Sequence, residues 1–149
     1  MLGWLRSNAL MAREALTGEV MKFRNRQFME AMAAACAMIA TADGEVSPLE
    51  KMKMTGFINN SPELKVFDLA EVLAAFNNMT GKFEFDFQIG EAQALKTIGK
   101  IKGNDSAARL LVRVACAVGA SDGSFDEKER AACRRVCLEL GLSPADFDL

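Results

Sequence analysis

The sequence predicts an all-α protein: a single compact domain of about seven to eight helices, built from two pseudo-symmetric halves that share a repeated acidic helix-loop-helix motif. Three observations carry this reading. Apolar residues recur at three- and four-residue spacing along most of the chain, which is the period of a helix with one buried face. Pro48, Pro62 and Pro144, which are all the prolines, each directly follow a serine, the order expected of an N-cap and the first helical residue. The acidic motif then occurs at 40–51 and again at 119–130. Asp43-Gly44 matches Asp122-Gly123, Val46 matches Phe125, Ser47 matches Asp126, and Glu50-Lys51 matches Glu129-Arg130, at a constant offset of 79 residues.

Taken in order, residues 2–23 place Leu2, Leu5, Ala9, Ala12, Leu16, Val20 and Phe23 on one helical face. Arg6, Arg13, Lys22, Arg24 and Arg26 make residues 1–26 a basic amphipathic segment. Such a helix either touches anionic lipid or packs on its own domain, and packing is the commoner fate. Residues 27–149 form the helical domain proper. Residues 27–42 are apolar nearly all round and predict a buried helix; 48–60 and a helix from Ser61-Pro62 to about Met79 follow, with repeat one at about 27–69 and connecting helices over 70–103. Residues 83–89 alternate apolar and polar with period two, but a lone strand has no partner. They predict instead an ordered loop anchored by Phe83 and Phe85, with Asp86 capping a helix to about Ile101 and Gly103 stopping it. Repeat two, about 104–149, gives a second buried helix at 106–121, a helix at 127–140 ended by Gly141, and a short capped turn.

Composition narrows the function. A net charge of −2 lacks the basic excess of a general nucleic-acid binder. The chain has no histidine, which removes the commonest general base and transition-metal ligand. The four cysteines, without a secretory signal or membrane-length apolar run, suggest a reducing, cytoplasmic setting.

The repeated loop has two readings. Asp-Gly followed after five residues by Glu is the second half of an EF-hand loop, but the earlier ligand positions fall on Ile39 and Thr41, and on Val118 and Ala120. It is not an EF-hand. Structurally, Ser47 with Glu50 forms a capping box and Asp126 with Glu129 its acidic analogue, while Gly44 and Gly123 end the preceding helices. This leaves Asp43 and Asp122 at helix C-termini, where the dipole disfavours an anion. Such a placement, repeated, points to a cation. If the halves pack about a pseudo-two-fold, Asp43, Glu50, Asp122 and Glu129 converge with Asp126 beside them, and an all-oxygen set favours calcium or magnesium. Cys36 and Cys116 lie on the buried helices, and Cys133 and Cys137 share one helical face. All four read as buried hydrophobes. The alternative is a thiol-dependent enzyme or scavenger acting on a soft oxyanion through Cys133 and Cys137, which the family resemblance below would make tellurite.

Longer blocks carry a family resemblance: residues 22–29, Asp43-Gly44 with Ser47 and Glu50-Lys51, Met54 to Phe57, 63–68, 83–90, 121–126 and the ending 143–147. With these the chain resembles the TerB family of tellurite-resistance proteins over essentially its whole length. The resemblance implies an all-helical fold with internal pseudo-symmetry, and a divalent-metal site whose carried-over positions are Asp43, Glu50, Asp122 and Glu129. It further implies a non-enzymatic stress-response module in the cytoplasm. That module would dock on other Ter proteins and associate with the inner membrane through the integral membrane partner TerC.

Overall fold

The computed structural model describes residues 9–120, 123 and 125–149. They form seven α-helices and two short 3-10 turns with no strand among the described residues: α1 Ala9–Lys22, α2 Arg26–Ala40, α3 Pro48–Asn60, a turn Pro62–Val66, α4 Leu69–Phe85, α5 Phe87–Gly99, α6 Asp105–Gly119, α7 Glu127–Glu139 and a turn Pro144–Phe147. No helix among the described residues is long and apolar enough to cross a membrane.

The core is built around α2. Asn25 opens it, its side-chain oxygen accepting from the Phe28 amide at 2.8 Å. From Ala31 to Ala40 every residue is buried. Small side chains on all faces let α4, α5, α6 and α7 approach the same axis, and such close packing replaces water contact with dispersion contact on every side. Phe28 stacks between Phe23 at 5.9 Å and Phe67 at 6.3 Å, tying the start of α2 to the segment before α4. α1 contributes Leu16 and Val20 to the core and packs on the Pro62–Val66 turn and α6, so the described part of the basic segment rests on its own domain.

Each proline does begin a helical element, but only Ser47 caps with its side chain, accepting from the Glu50 amide at 3.5 Å. Ser61 turns its hydroxyl back to the Phe57 carbonyl instead, and Ser143 makes no side-chain cap bond. Both precede single 3-10 turns, whose tighter winding does not present the amide that an α-helical cap engages. The helix expected from Pro62 to Met79 is therefore two elements. The Pro62–Val66 turn ends, Asp68 re-caps by accepting from the Ala70 amide at 2.9 Å, and α4 runs on to Phe85.

The 83–89 segment corrects a second expectation. It is no loop: Phe83 and Phe85 close α4, and Asp86 caps α5 by accepting from the Ile89 amide at 3.0 Å. Phe83 is buried and meets the Phe87 ring edge-on at 5.2 Å, whereas Phe85 anchors nothing and is 83 % exposed. The α4–α5 crossing is close because Gly90 lies against the Phe83 backbone.

Candidate functional site

The two acidic loops follow the ends of α2 and α6. In the first, the Thr41 amide donates to the Ala37 carbonyl at 3.1 Å and the Gly44 amide to the Thr41 carbonyl at 3.0 Å. In the second, the Ala120 amide donates to the Cys116 carbonyl at 2.9 Å and the Gly123 amide to the Ala120 carbonyl at 3.0 Å. Gly44 and Gly123 have φ of +90° and +79°, a left-handed conformation that side chains resist and glycine adopts freely. Sequence spacing identified both glycines for this reason.

The two helix ends also touch. An added Cβ at Gly119 would meet Phe125 at 2.9 Å and Ile39 at 3.4 Å. The last turn of α6 is thus bare so that Ile39 of α2 and Phe125 of the second loop can close over it. Both helices end here, and the dipole of each places partial negative charge at its end, with turn and side-chain hydrogen bonds engaging the Ala37, Met38, Ile39, Cys116 and Val118 carbonyls.

The candidate ligands are placed as follows. Asp43 is exposed, and its Oδ1 accepts from the Glu45 amide at 3.1 Å, a local turn that explains an aspartate before glycine without any ligand. Glu50 is half-buried, its carboxylate 4.0 Å from the Lys53 ammonium. Asp126 and Glu129 form a complete capping box: Asp126 accepts from the Glu129 amide at 2.8 Å, and Glu129 accepts from the Asp126 amide at 3.2 Å. Asp122 lies outside the described residues. Among the described residues no group of three or more carboxylates or thiols is arranged to hold a metal ion.

Sequence reasoning missed how the neighbouring charges are used. Lys51 pairs with Glu84 at 2.9 Å and ties α3 to the end of α4, a contact across many residues that no local pattern announces. Glu127 pairs with Arg130 at 3.7 Å and also with Arg134. The first of these has the three-residue spacing of a helical ion pair and was legible.

All four cysteines are free and buried. Burial pushes the Cys36 thiol up to about 12 and Cys137 likewise up to about 12. Cys133 is raised by its hydrogen bond with Cys116 and then by burial. Thiolate is the nucleophilic form, so these groups stay protonated at neutral pH. The native protein is expected to react with an aromatic disulfide reagent only at its unfolding rate, with all thiols reacting promptly in denaturant. Rapid native reaction of Cys133 or Cys137 would contradict this. Because these folded pKa values lie above that of an unfolded thiol, the unfolded state loses protons first as pH rises. Stability carried by these groups is present below the ordinary thiol pKa and lost progressively up to the raised values.

Residues 29–149 match the sequence profile of the family described as "Tellurite resistance protein TerB". The chain belongs to the TerB family. It is also similar to the tellurium resistance protein TerB of an Alcaligenes species, with 46 % identity over 102 residues, 68 % of this chain and 84 % of that protein. No solved structure matches it. The match begins inside α2, at residue 29, and spans both acidic loops and every later helix, so the family assignment applies to the helical domain, and α1 lies before it.

Proposed function

We propose that this TerB-family chain is a non-enzymatic resistance module that binds a divalent cation, calcium or magnesium, at its paired acidic loops. The ligands would come from Asp43, Glu50, Asp122 and Glu129, with Asp126 beside them. The observation that carries the reading is the close approach of Ile39 and of Phe125 to Gly119. It draws the C-terminal ends of α2 and α6 together, so that two negative helix poles and the acidic side chains following them favour a cation at the same place. The hard oxygen donors favour calcium or magnesium over softer ions. In the same proposal the module docks on other Ter proteins, including the integral membrane partner TerC, at the inner face of the membrane. That part rests on what the family resemblance implies, with the basic residues 1–26 as a further contact to anionic lipid.

The test is thermal unfolding with and without divalent ions at matched ionic strength. An ion bound only by the folded form stabilises it by about 2.7 kcal/mol at a hundredfold excess over Kd, which for a chain of this size raises Tm by about 5–10 °C. Asp43→Asn and Asp122→Asn should each abolish the increment. Ser47→Ala should lower stability by about 1 kcal/mol, the worth of a cap, yet keep the response. If the wild type and both Asn variants melt identically with and without ions, the loops act as helix caps and nothing more.

A further inference from the structure

Most of the sulfur in this chain is sealed from solvent. All four cysteines are buried, and a cysteine reacts as the thiolate, which burial disfavours. Of the methionines whose side chains the structure describes, Met29, Met32, Met38, Met54 and Met79 are at most 6 % exposed. Met21 and Met52 are the exceptions, at 53 % and 72 %. Met52 stands on the wall of a groove of about 560 Å³ between α3 and the end of α4. Pro48, Thr55 and Gly56 share that wall, and the lining is mostly apolar. Lys51 reaches Glu84 across it at 2.9 Å, so the groove keeps its shape through an ion pair in which Met52 takes no part. Two residues further along, Met54 lies on the opposite face of the helix and is 3 % exposed. It and Ile58 hold α3 to the core.

We propose that Met52 is a reversible oxidation site, converted by hydrogen peroxide or a related two-electron oxidant to the sulfoxide ahead of every buried sulfur, with the fold left intact. A thioether has no proton to lose before it reacts, so access alone selects the residue. The sulfur lone pair attacks one peroxide oxygen, and the S–O bond forms as the O–O bond breaks. The departing hydroxide takes the proton of the transferred oxygen and leaves as water. Sulfur gives up two electrons and the peroxide accepts them. A methionine sulfoxide reductase supplied with a dithiol reverses the step, the oxygen leaving as water while the dithiol becomes a disulfide. The sulfoxide is polar where the thioether was not. Oxidation therefore changes the character of the groove while α3 keeps its packing through Met54 and Ile58.

The test is a timed exposure of the full native chain to hydrogen peroxide, with oxygen uptake mapped residue by residue by mass spectrometry. Met52 is expected to take up one oxygen about tenfold or more faster than Met54, whose sulfur is reached only when the helix packing opens, and faster than any cysteine. In denaturant the rates of Met52 and Met54 should become equal. Met52→Leu, treated in the same way, acquires every other oxidation and none at this position. The oxidised wild type and the oxidised variant should melt within about 2 °C of each other, as for a surface change. The reductase should then clear the oxygen from Met52 in the folded chain. The inference is overturned if Met54 or a cysteine oxidises as fast as Met52 in the native protein. It is equally overturned if the oxidised wild type melts well below the oxidised variant, or if the reductase leaves Met52 oxidised. The residue-by-residue rates come from the unaltered protein, so they decide whatever the variant does.

Discussion

Gly90→Ala is expected to lower Tm by about 10 °C or to prevent folding, since overpacking costs about 1–3 kcal/mol and occasionally more and each kcal/mol is worth about 2–4 °C here. A Cβ at this position would stand 2.5 Å from the Phe83 Cα, 2.6 Å from its amide nitrogen and 2.7 Å from its ring. Two of these are backbone atoms, so no rotamer change relieves the clash, and α5 must move away from α4. Movement there loosens Phe83 and its edge-on contact with Phe87, which join the two helices packed on α2. Gly81 provides the control, since nothing lies within 4 Å of a Cβ there. Gly81→Ala should stabilise α4 by about 0.5–1 kcal/mol through backbone propensity alone. Denaturation of the two variants by heat and urea checks both signs. Gly90→Ala melting with the wild type would show that the crossing is not tight.

The second large effect is expected in the Pro144–Phe147 turn. Phe147→Ala should cost about 3–5 kcal/mol, as for any fully enclosed aromatic. Its ring has no exposure, and the Arg113 guanidinium lies over it at 5.6 Å. The turn carrying it is held by the Leu149 amide donating to the Pro144 carbonyl at 3.2 Å and by Arg130 donating to the Asp148 carbonyl at 2.8 Å. Because this turn packs on α7, losing the ring also loosens the helix that starts with the Asp126–Glu129 capping box. Arg109→Ala is the comparison. It removes the exposed pairs with Asp105 at 2.9 Å and Asp146 at 3.2 Å, worth about 0–1 kcal/mol. A urea midpoint for Phe147→Ala no lower than that of Arg109→Ala would mean the ring is dispensable.

The helices were legible because their signals are local. Apolar spacing marked α2 and α6, Asp86 announced α5, and the glycines at 44, 103, 123 and 141 all have positive φ where helices stop. What the sequence concealed depends on the third dimension. The alternation of Phe83, Phe85 and Phe87 imitates a strand because one helix ends and another begins between them. Phe83 and Phe87 turn inward from different helices while Phe85 turns out. A serine before a proline marks a start but not what its hydroxyl does, and Ser61 gave its own to the preceding helix. At the loops, pattern and spacing singled out Asp43, Glu50, Asp126 and Glu129, yet capping and local turns alone would select the same residue types.

The way α2 is enclosed also bears on how such a protein can diverge. A helix whose residues 31–40 are all buried, most of them alanine, leaves no slack for an added methyl on any side. A change there must be answered at once by a second change on α4, α5, α6 or α7. α3, by contrast, buries only Met54 and Ile58, and its exposed positions, such as Leu49, Met52 and Asn59, are free to drift singly. Relatives of this chain should therefore share the small residues of α2 while differing at those exposed positions of α3. New contacts with partners would then arise on α3 without disturbing the helices that hold the fold.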